Sequence, residues 1–428
     1  MTDFQQLWQD IQHAGSIDAY VNKQLQKKGY LVKRLDAKQL SAKELARYKQ
    51  QLKQEAEAKQ KLNQEAWQVY KQNNIVYLGD QVYWHDNDDW DKYDRENADK
   101  ALVGYQLPVI HTPAELAEQL QLTIKELRWF TYHRNAAEYS HYQQFSIPKR
   151  SGGERSIWAP KPKLKAAQRW ILLNIVERML IHGAAHGFVG GRSILTNAQQ
   201  HTQSELVVKF DLADFFPSIS WRRVKGIFRK AGYKEQVATL LALLCTEAPR
   251  ERIEHENKTY FIALADRCLP QGAPTSPSLT NILCKSMDRR LTAFAEKNGW
   301  RYSRYADDLT FSCSGSQSEP NIKQLIGIVH QVVKDEGLNI NSKKTRILRP
   351  GSCQQITGLV VNEHAQPRVP RATKREVRAM LHNLSKGKSL HEDETLSQLQ
   401  GKINFIRMVE PELGASFLTQ FQQIVQSA

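Results

Sequence analysis

The stretch Arg301-Tyr302-Ser303-Arg304-Tyr305-Ala306-Asp307-Asp308-Leu309-Thr310-Phe311-Ser312-Cys313 places two adjacent carboxylates between two strand-like runs. Tyr302–Tyr305 and Leu309–Cys313 can pair as a hairpin, with Ala306–Asp308 at the turn. Neighbours on a strand point to opposite faces, but at a turn both carboxylates can approach one cation. Crowded carboxylates raise one another's pKa unless a cation neutralises them. Hard oxygen donors select Mg²⁺ or Mn²⁺. Two such ions ~3.5–4 Å apart can activate an attacking hydroxyl and stabilise a leaving phosphate.

A second acid ends another apolar strand: Val207-Val208-Lys209-Phe210-Asp211-Leu212-Ala213-Asp214-Phe215-Phe216. Working outward, Leu206–Leu212 reads as a strand, and Val237–Thr246 and Ile322–Glu336 as helices. Leu164–Leu180 reads as a buried helix. Ser151-Gly152-Gly153-Glu154 forms the turn of a hairpin flanked by Phe145–Ile147 and Ser156–Ala159. Thr112 caps a helix with Pro113 at its first turn and Glu115 three residues on, a capping box, and Thr123–Glu126 repeats the cap. The chain is therefore α+β without regular βαβ alternation.

The chain has 428 residues, with 60 Lys and Arg against 45 Asp and Glu, a net charge of +15. Residues 1–100 hold equal numbers of both signs, so the whole excess lies beyond them. A basic surface of that size points to a polyanionic partner, nucleic acid. The apolar share of 41% and charged share of 25% exclude a disordered or collagen-like chain. Five scattered cysteines with no CxxC exclude a zinc or redox motif and suit a reducing cytoplasm. No apolar run nears the ~18 residues of a membrane helix. Met1–Asp10 lacks the basic start of a signal peptide.

Residues 1–100 read as a mostly helical extension. Ser41–Tyr70 is a strong helix former with sparse apolar positions, Leu45, Leu52, Leu62 and Val69. Ile75–Trp84 looks strand-like. Asp86–Asp94 has five aspartates but not the ligand order of a calcium loop, so it reads as a solvated acidic loop. A boundary falls near Ala101–Thr112.

Three motifs, in chain order, resemble those of reverse transcriptases. Phe210-Asp211 through Pro217 is similar to their first catalytic motif. Pro270-Gln271-Gly272-Ala273-Pro274-Thr275-Ser276-Pro277 is similar to their template-cradling motif, and Arg304–Leu309 to their catalytic box. More narrowly, Asn197-Ala198-Gln199-Gln200-His201, Ile356-Thr357-Gly358 (Ile in place of Val) and Gly401–Arg407 resemble bacterial retron reverse transcriptases. The resemblance runs from about Thr112 to the C-terminus and does not reach residues 1–100.

It implies a right-hand polymerase: fingers with their connecting region at 101–205, palm at 206–362 and thumb at 363–428. Asp211, Asp307 and Asp308 match the metal-binding triad for two Mg²⁺ ions, with Mn²⁺ a substitute. Lys344 matches a lysine that protonates departing pyrophosphate, with Lys343 beside it. Phe216 matches the steric gate that excludes a 2′-hydroxyl, and Lys149, Arg155, Asp214 and Gln271 the nucleotide site. Gly272 would let the backbone approach the template, since a Cβ would intrude. Asn197 and His201 would contact nucleic acid. Arg371, Lys374, Arg375 and Arg378 share a helical face suited to duplex phosphates, while Val377, Met380, Leu381 and Leu384 pack from another.

The function implied is RNA-directed DNA synthesis from dNTPs on a cognate structured non-coding RNA, giving a branched RNA–DNA product (multicopy single-stranded DNA). The setting implied is anti-phage defence with a separate effector protein and an open oligomeric state. Intron-type and abortive-infection reverse transcriptases, and a non-catalytic RNA-binding scaffold, are the alternatives. The intact motifs argue against each.

Overall fold

The computed structural model describes residues 3–36, 40–80, 82, 97–148, 152–314, 321–362, 365–390 and 394–427. Its strands are β1 (Ala136–Ala137), β2 (Tyr142–Pro148), β3 (Glu154–Pro160), β4 (Leu206–Asp211), β5 (Arg250–His255), β6 (Lys258–Ala263), β7 (Arg301–Tyr305), β8 (Asp308–Cys313), β9 (Arg346–Leu348), β10 (Gln355–Ile356) and β11 (Leu359–Val360). β7, β8, β4 and β9 make one antiparallel sheet in that order. This sheet is the palm of a right-hand polymerase fold.

Side-chain alternation gives the sheet two different faces. Val208, Phe210, Leu309 and Phe311 enter the main core with Val224, Phe228, Leu240, Leu291 and Val329 of the covering helices. Phe210 and Phe311 meet edge to face, with ring centroids 5.9 Å apart. The intervening positions form the other face. There the register pairs Lys209 with Thr310 and Asp211 with Asp308. Burying one face therefore aims the carboxylates of two neighbouring strands the other way.

The fingers hairpin pairs β2 with β3 across the Gly152–Gly153 turn. The thumb is three helices, Arg371–Ser385, Leu396–Val409 and Pro411–Ser427, around Val377, Leu381, Leu399, Ile403, Ile406 and Phe417. Among the described residues no helix is long and apolar enough to cross a membrane. All five cysteines are free, four of them buried.

Several local expectations shift. The helix expected over Leu164–Leu180 is Pro162–Asn174, followed by a 3₁₀ turn at Val176–Arg178. Thr112 caps its helix, but the Glu115 carboxylate accepts from the His111 amide, so the box is not closed. The β5–β6 hairpin was not anticipated. β5 is exposed after its first residue and so has no apolar alternation to read. The acidic stretch Asp86–Asp94 lies outside the described residues.

The N-terminal boundary moves. Asp3–Ala14, Ile17–Lys27 and Ala42–Asn73 form a helical unit around Ile11, Val21, Leu25, Leu62 and Ala66. Residues 75–80 and 82 do not belong to it. Ile75, Leu78 and Val82 are buried in the main core. The His133 amide donates to the Leu78 carbonyl at 2.7 Å, and a Cβ on Gly79 would lie 1.8 Å from the His133 carbonyl oxygen. These buried side chains pack with the main core, whereas the expected boundary near Ala101 would have left them in the N-terminal extension.

A chain beginning at Asn74 is expected to keep its main-core stability in urea unfolding. One beginning at Ala101 loses three buried apolar side chains, each worth about 2–5 kcal/mol, and is expected to unfold at much lower urea.

Candidate active site

β7 and β8 are joined by Ala306 and Asp307 alone. Ala306 has φ +55°, the left-handed conformation a two-residue hairpin loop demands at its first position. The Leu212 amide donates to the Asp307 carbonyl at 3.0 Å, and the Asn341 amide to the Asp211 carbonyl at 2.7 Å. The turn is thereby stitched to the end of β4, and the structure brings Asp211, Asp307 and Asp308 together.

Burial raises the Asp307 carboxyl, and Asp308 and then Asp211 raise it further. Burial also raises Asp308, and Asp211 adds to the rise against Lys209 and Lys344. Lys344 places its ammonium 3.0 Å from the Asp211 carboxylate. The Lys343 backbone carbonyl accepts from the Arg346 guanidinium at 2.8 Å. Among the described residues no three carboxylate, imidazole or thiolate groups are already drawn into a cage. The donor chemistry nevertheless fits divalent cations: all oxygen, crowded, and only partly neutralised by Lys344 and Lys209.

A buried network holds the turn from below. Arg304 and Asp288 are fully buried and pair through two hydrogen bonds of 2.8 and 2.7 Å. Burial alone would lower the Arg304 pKa, but Asp288 more than offsets it. Arg304 also donates to the Ala306 carbonyl at 3.1 Å and to Asn281 at 3.0 Å. Asn281 donates to the Gly187 carbonyl at 2.9 Å. The sequence showed Arg304 only as a flank of the box, and gave Asp288 and Asn281 no signal.

Phe216 is half-buried, its ring 5.6 Å from Phe215 and 6.5 Å from Phe188. Asp214 is exposed with φ +45°, and its carbonyl takes the Ser218 amide. Arg155 is exposed on β3 opposite Ile147, while Lys149 lies outside the described residues. Gln271 is half-buried, and its carbonyl accepts from the Trp158 amide at 2.7 Å.

Three expectations need correction. Gly272, expected to admit a template, is already required at φ +122° by the fingers. A Cβ there would meet Ile157 Cγ2 at 2.8 Å and the Trp158 carbonyl oxygen at 2.9 Å. Asn197 and His201 are buried, so they cannot touch nucleic acid directly. His201 Nε2 lies 2.7 Å from Ser303 Oγ, and Nδ1 lies 2.7 Å from Ser312 Oγ. Ser303 donates its proton to Asn197 Oδ1 at 2.7 Å, so it accepts from Nε2–H, and Ser312 donates to Nδ1. Burial, then the charges of Arg301 and His186, pull His201 down to about 3, keeping the ring neutral. The motif braces β7 against β8. Ile356–Gly358 joins it: Thr357 donates to the Ile194 carbonyl, and Ile356 packs with Ala198 and Val207. Third, Lys374 is drawn inward to Glu410 at 3.0 Å, leaving Arg371, Arg375 and Arg378 exposed.

The reverse transcriptase (RNA-dependent DNA polymerase) family matches residues 147–389. The retron Mx162 reverse transcriptase of Myxococcus xanthus is 44% identical over 429 residues, covering 98% of this chain and 88% of that protein. The chain belongs to the retron reverse transcriptases. The retron Mx65 enzyme of Myxococcus xanthus is 39% identical, covering 73% of this chain and 71% of its own length. The retron Ec86 enzyme of Escherichia coli is 31% identical, covering 74% and 91%. This retron reverse transcriptase is thus an RNA-directed DNA polymerase that takes an RNA template and depends on divalent metal. Because the Mx162 match spans nearly the whole chain, the likeness reaches into residues 1–100 after all.

Asp288→Asn leaves the buried Arg304 charge uncompensated and is expected to destabilise the fold by about 3–5 kcal/mol in urea unfolding. Arg304→Met combined with Asp288→Leu is expected to recover part of that loss.

Proposed function

We propose that this retron reverse transcriptase copies a cognate structured non-coding RNA, primed from that RNA, into a branched RNA–DNA product, multicopy single-stranded DNA. Anti-phage defence with a separate effector protein is the proposed setting. Five unpaired cysteines suit a cytoplasmic home. The observation that carries the catalytic part is the pairing of Asp211 with Asp308 beside Asp307, with Lys344 on Asp211.

Asp211, Asp307 and Asp308 would hold two Mg²⁺, or Mn²⁺ in their place. Ions held there would supply activation of the attacking hydroxyl and stabilisation of charge on the phosphates. Lys344 would hand a proton to departing pyrophosphate. Its ion pair with Asp211 keeps it at the site, which Lys343 lacks. Arg155, on the fingers hairpin, would grip the triphosphate of a dNTP together with Lys149, and Asp214 and Gln271 would contribute to the nucleotide site. The Phe216 ring would leave no room for a 2′-hydroxyl and has no group to hydrogen-bond one. Arg371, Arg375 and Arg378 would follow the phosphates of the template–primer duplex. The helices of residues 3–73 hold none of these parts and suit docking on the effector, a second copy or the product.

Sequencing the nucleic acid that copurifies with the enzyme tests the cognate-RNA reading. Recovery of one structured RNA joined to DNA is expected, and bulk cellular RNA alone would overturn it. Asp307→Asn is expected to lower primer extension more than tenfold, over about 1.4 kcal/mol of barrier, with RNA retention unchanged in a filter-binding assay.

Phe216→Ala is expected to raise ribonucleotide incorporation relative to deoxynucleotide incorporation in competition assays. An unchanged ratio would make Phe216 a packing residue.

A further inference from the structure

Phe188 is an aromatic residue that the motifs left unassigned. It ends a segment lying along the catalytic hairpin. The Arg304 amide donates to the Ala184 carbonyl at 2.8 Å, and the His186 amide to the Arg304 carbonyl at 2.7 Å. Gly187 then passes so close to the turn that a Cβ would lie 2.6 Å from the Ala306 amide nitrogen. Its carbonyl is held by Asn281. Phe188 is therefore projected from a fixed point beside Asp307.

Its own geometry is unusual. The backbone has φ +59°, which a bulky L residue adopts only when its surroundings impose it. Strain of this kind is tolerable where a side chain is being buried, yet 52% of Phe188 remains exposed. Its ring does not join the core. It stands 6.5 Å from the Phe216 ring at a 54° tilt, on the solvent side of a Phe215–Phe216 pair. An exposed aromatic face beside reacting carboxylates offers what a nucleoside recognises, since every base has a π face and every sugar an apolar edge.

We propose that Phe188 is a nucleotide-positioning contact: with Phe216 it forms a two-ring wall against the sugar and base of the deoxynucleotide entering opposite the template. This rests on Phe216 lying under the incoming sugar. Phe216 then senses the 2′ position, and Phe188 sets how tightly and in what orientation the nucleotide is held. The position needs an aromatic ring, and the strained backbone is what places it.

The test is steady-state primer extension on an RNA template with full-length enzyme, reading KM for the dNTP separately from kcat, alongside melting midpoints. Phe188→Tyr keeps the ring and is expected to behave like the parent. Phe188→Ala and Phe188→Leu are expected to raise the dNTP KM about fivefold or more, the lower end of what a base–aromatic contact contributes. kcat should change less. Phe188→Gly relieves the left-handed backbone, so it should melt no lower than Phe188→Ala while showing the same rise in KM. That combination separates a nucleotide contact from a packing role.

An unchanged KM in Phe188→Leu and Phe188→Gly would overturn the proposal. So would a KM rise in Phe188→Tyr equal to that in Phe188→Ala. Failure of the gate reading shows elsewhere, as an unchanged sugar preference in Phe216→Ala.

Discussion

The Arg304–Asp288 pair is the constraint on which the site depends. A guanidinium and a carboxylate, both without solvent exposure, tie β7 to the helix Lys285–Lys297 beneath it. Two buried charges are tolerable only when paired and fully hydrogen-bonded. Arg304 meets that demand with Asp288, Asn281 and the Ala306 carbonyl, and Tyr302 adds its hydroxyl to Asp288. The carbonyl is the telling partner, because it belongs to the left-handed residue before Asp307. The price of burying the charge fixes the catalytic turn.

From that anchor the remaining parts are placed by contacts of the same kind. Asn281 passes the restraint to Gly187, and Gly187 sets where Phe188 stands. On the face of the sheet opposite the main core, buried and neutral His201 bridges Ser303 and Ser312, bracing the two strands that flank Asp307. Gly272 brings the fingers strand β3 against the palm because it has no Cβ to keep them apart. The carboxylates are then held close enough for burial and mutual repulsion to raise Asp307 and Asp308, a disposition that favours binding of divalent cations.

The family likeness and the geometry bear on different questions. The match to the retron Mx162 enzyme spans nearly the whole chain, including the helical unit before residue 74. That unit keeps its own small core and adds nothing to the palm. Ile75, Leu78 and Val82 have the reverse character: near the acidic stretch in sequence, they are part of the main core in space.

The sequence by itself determined the hairpin, the carboxylates at its turn and the strand that ends in Asp211, while the structure shortens the turn from Ala306–Asp308 to Ala306 and Asp307 and opens β8 with Asp308. Each is encoded locally, by alternation of period two and by acids where a strand should be apolar. It also marked the fingers hairpin and the basic stripe of the thumb. Only the tertiary structure decided which polar motif residues face a ligand and which face the core. Asn197 and His201 carry groups that could grip nucleic acid, but burial turns them to Ser303 and Ser312. Lys374 shares its helical face with three arginines, but Glu410, thirty-six residues on, draws it inward. Phe188 gives no periodic signal at all, because what distinguishes it is a backbone dihedral and an unburied ring. Helical and strand periods record which side of an element a residue occupies. What stands opposite that side is set by contacts between segments distant in the chain, and no local pattern carries that information.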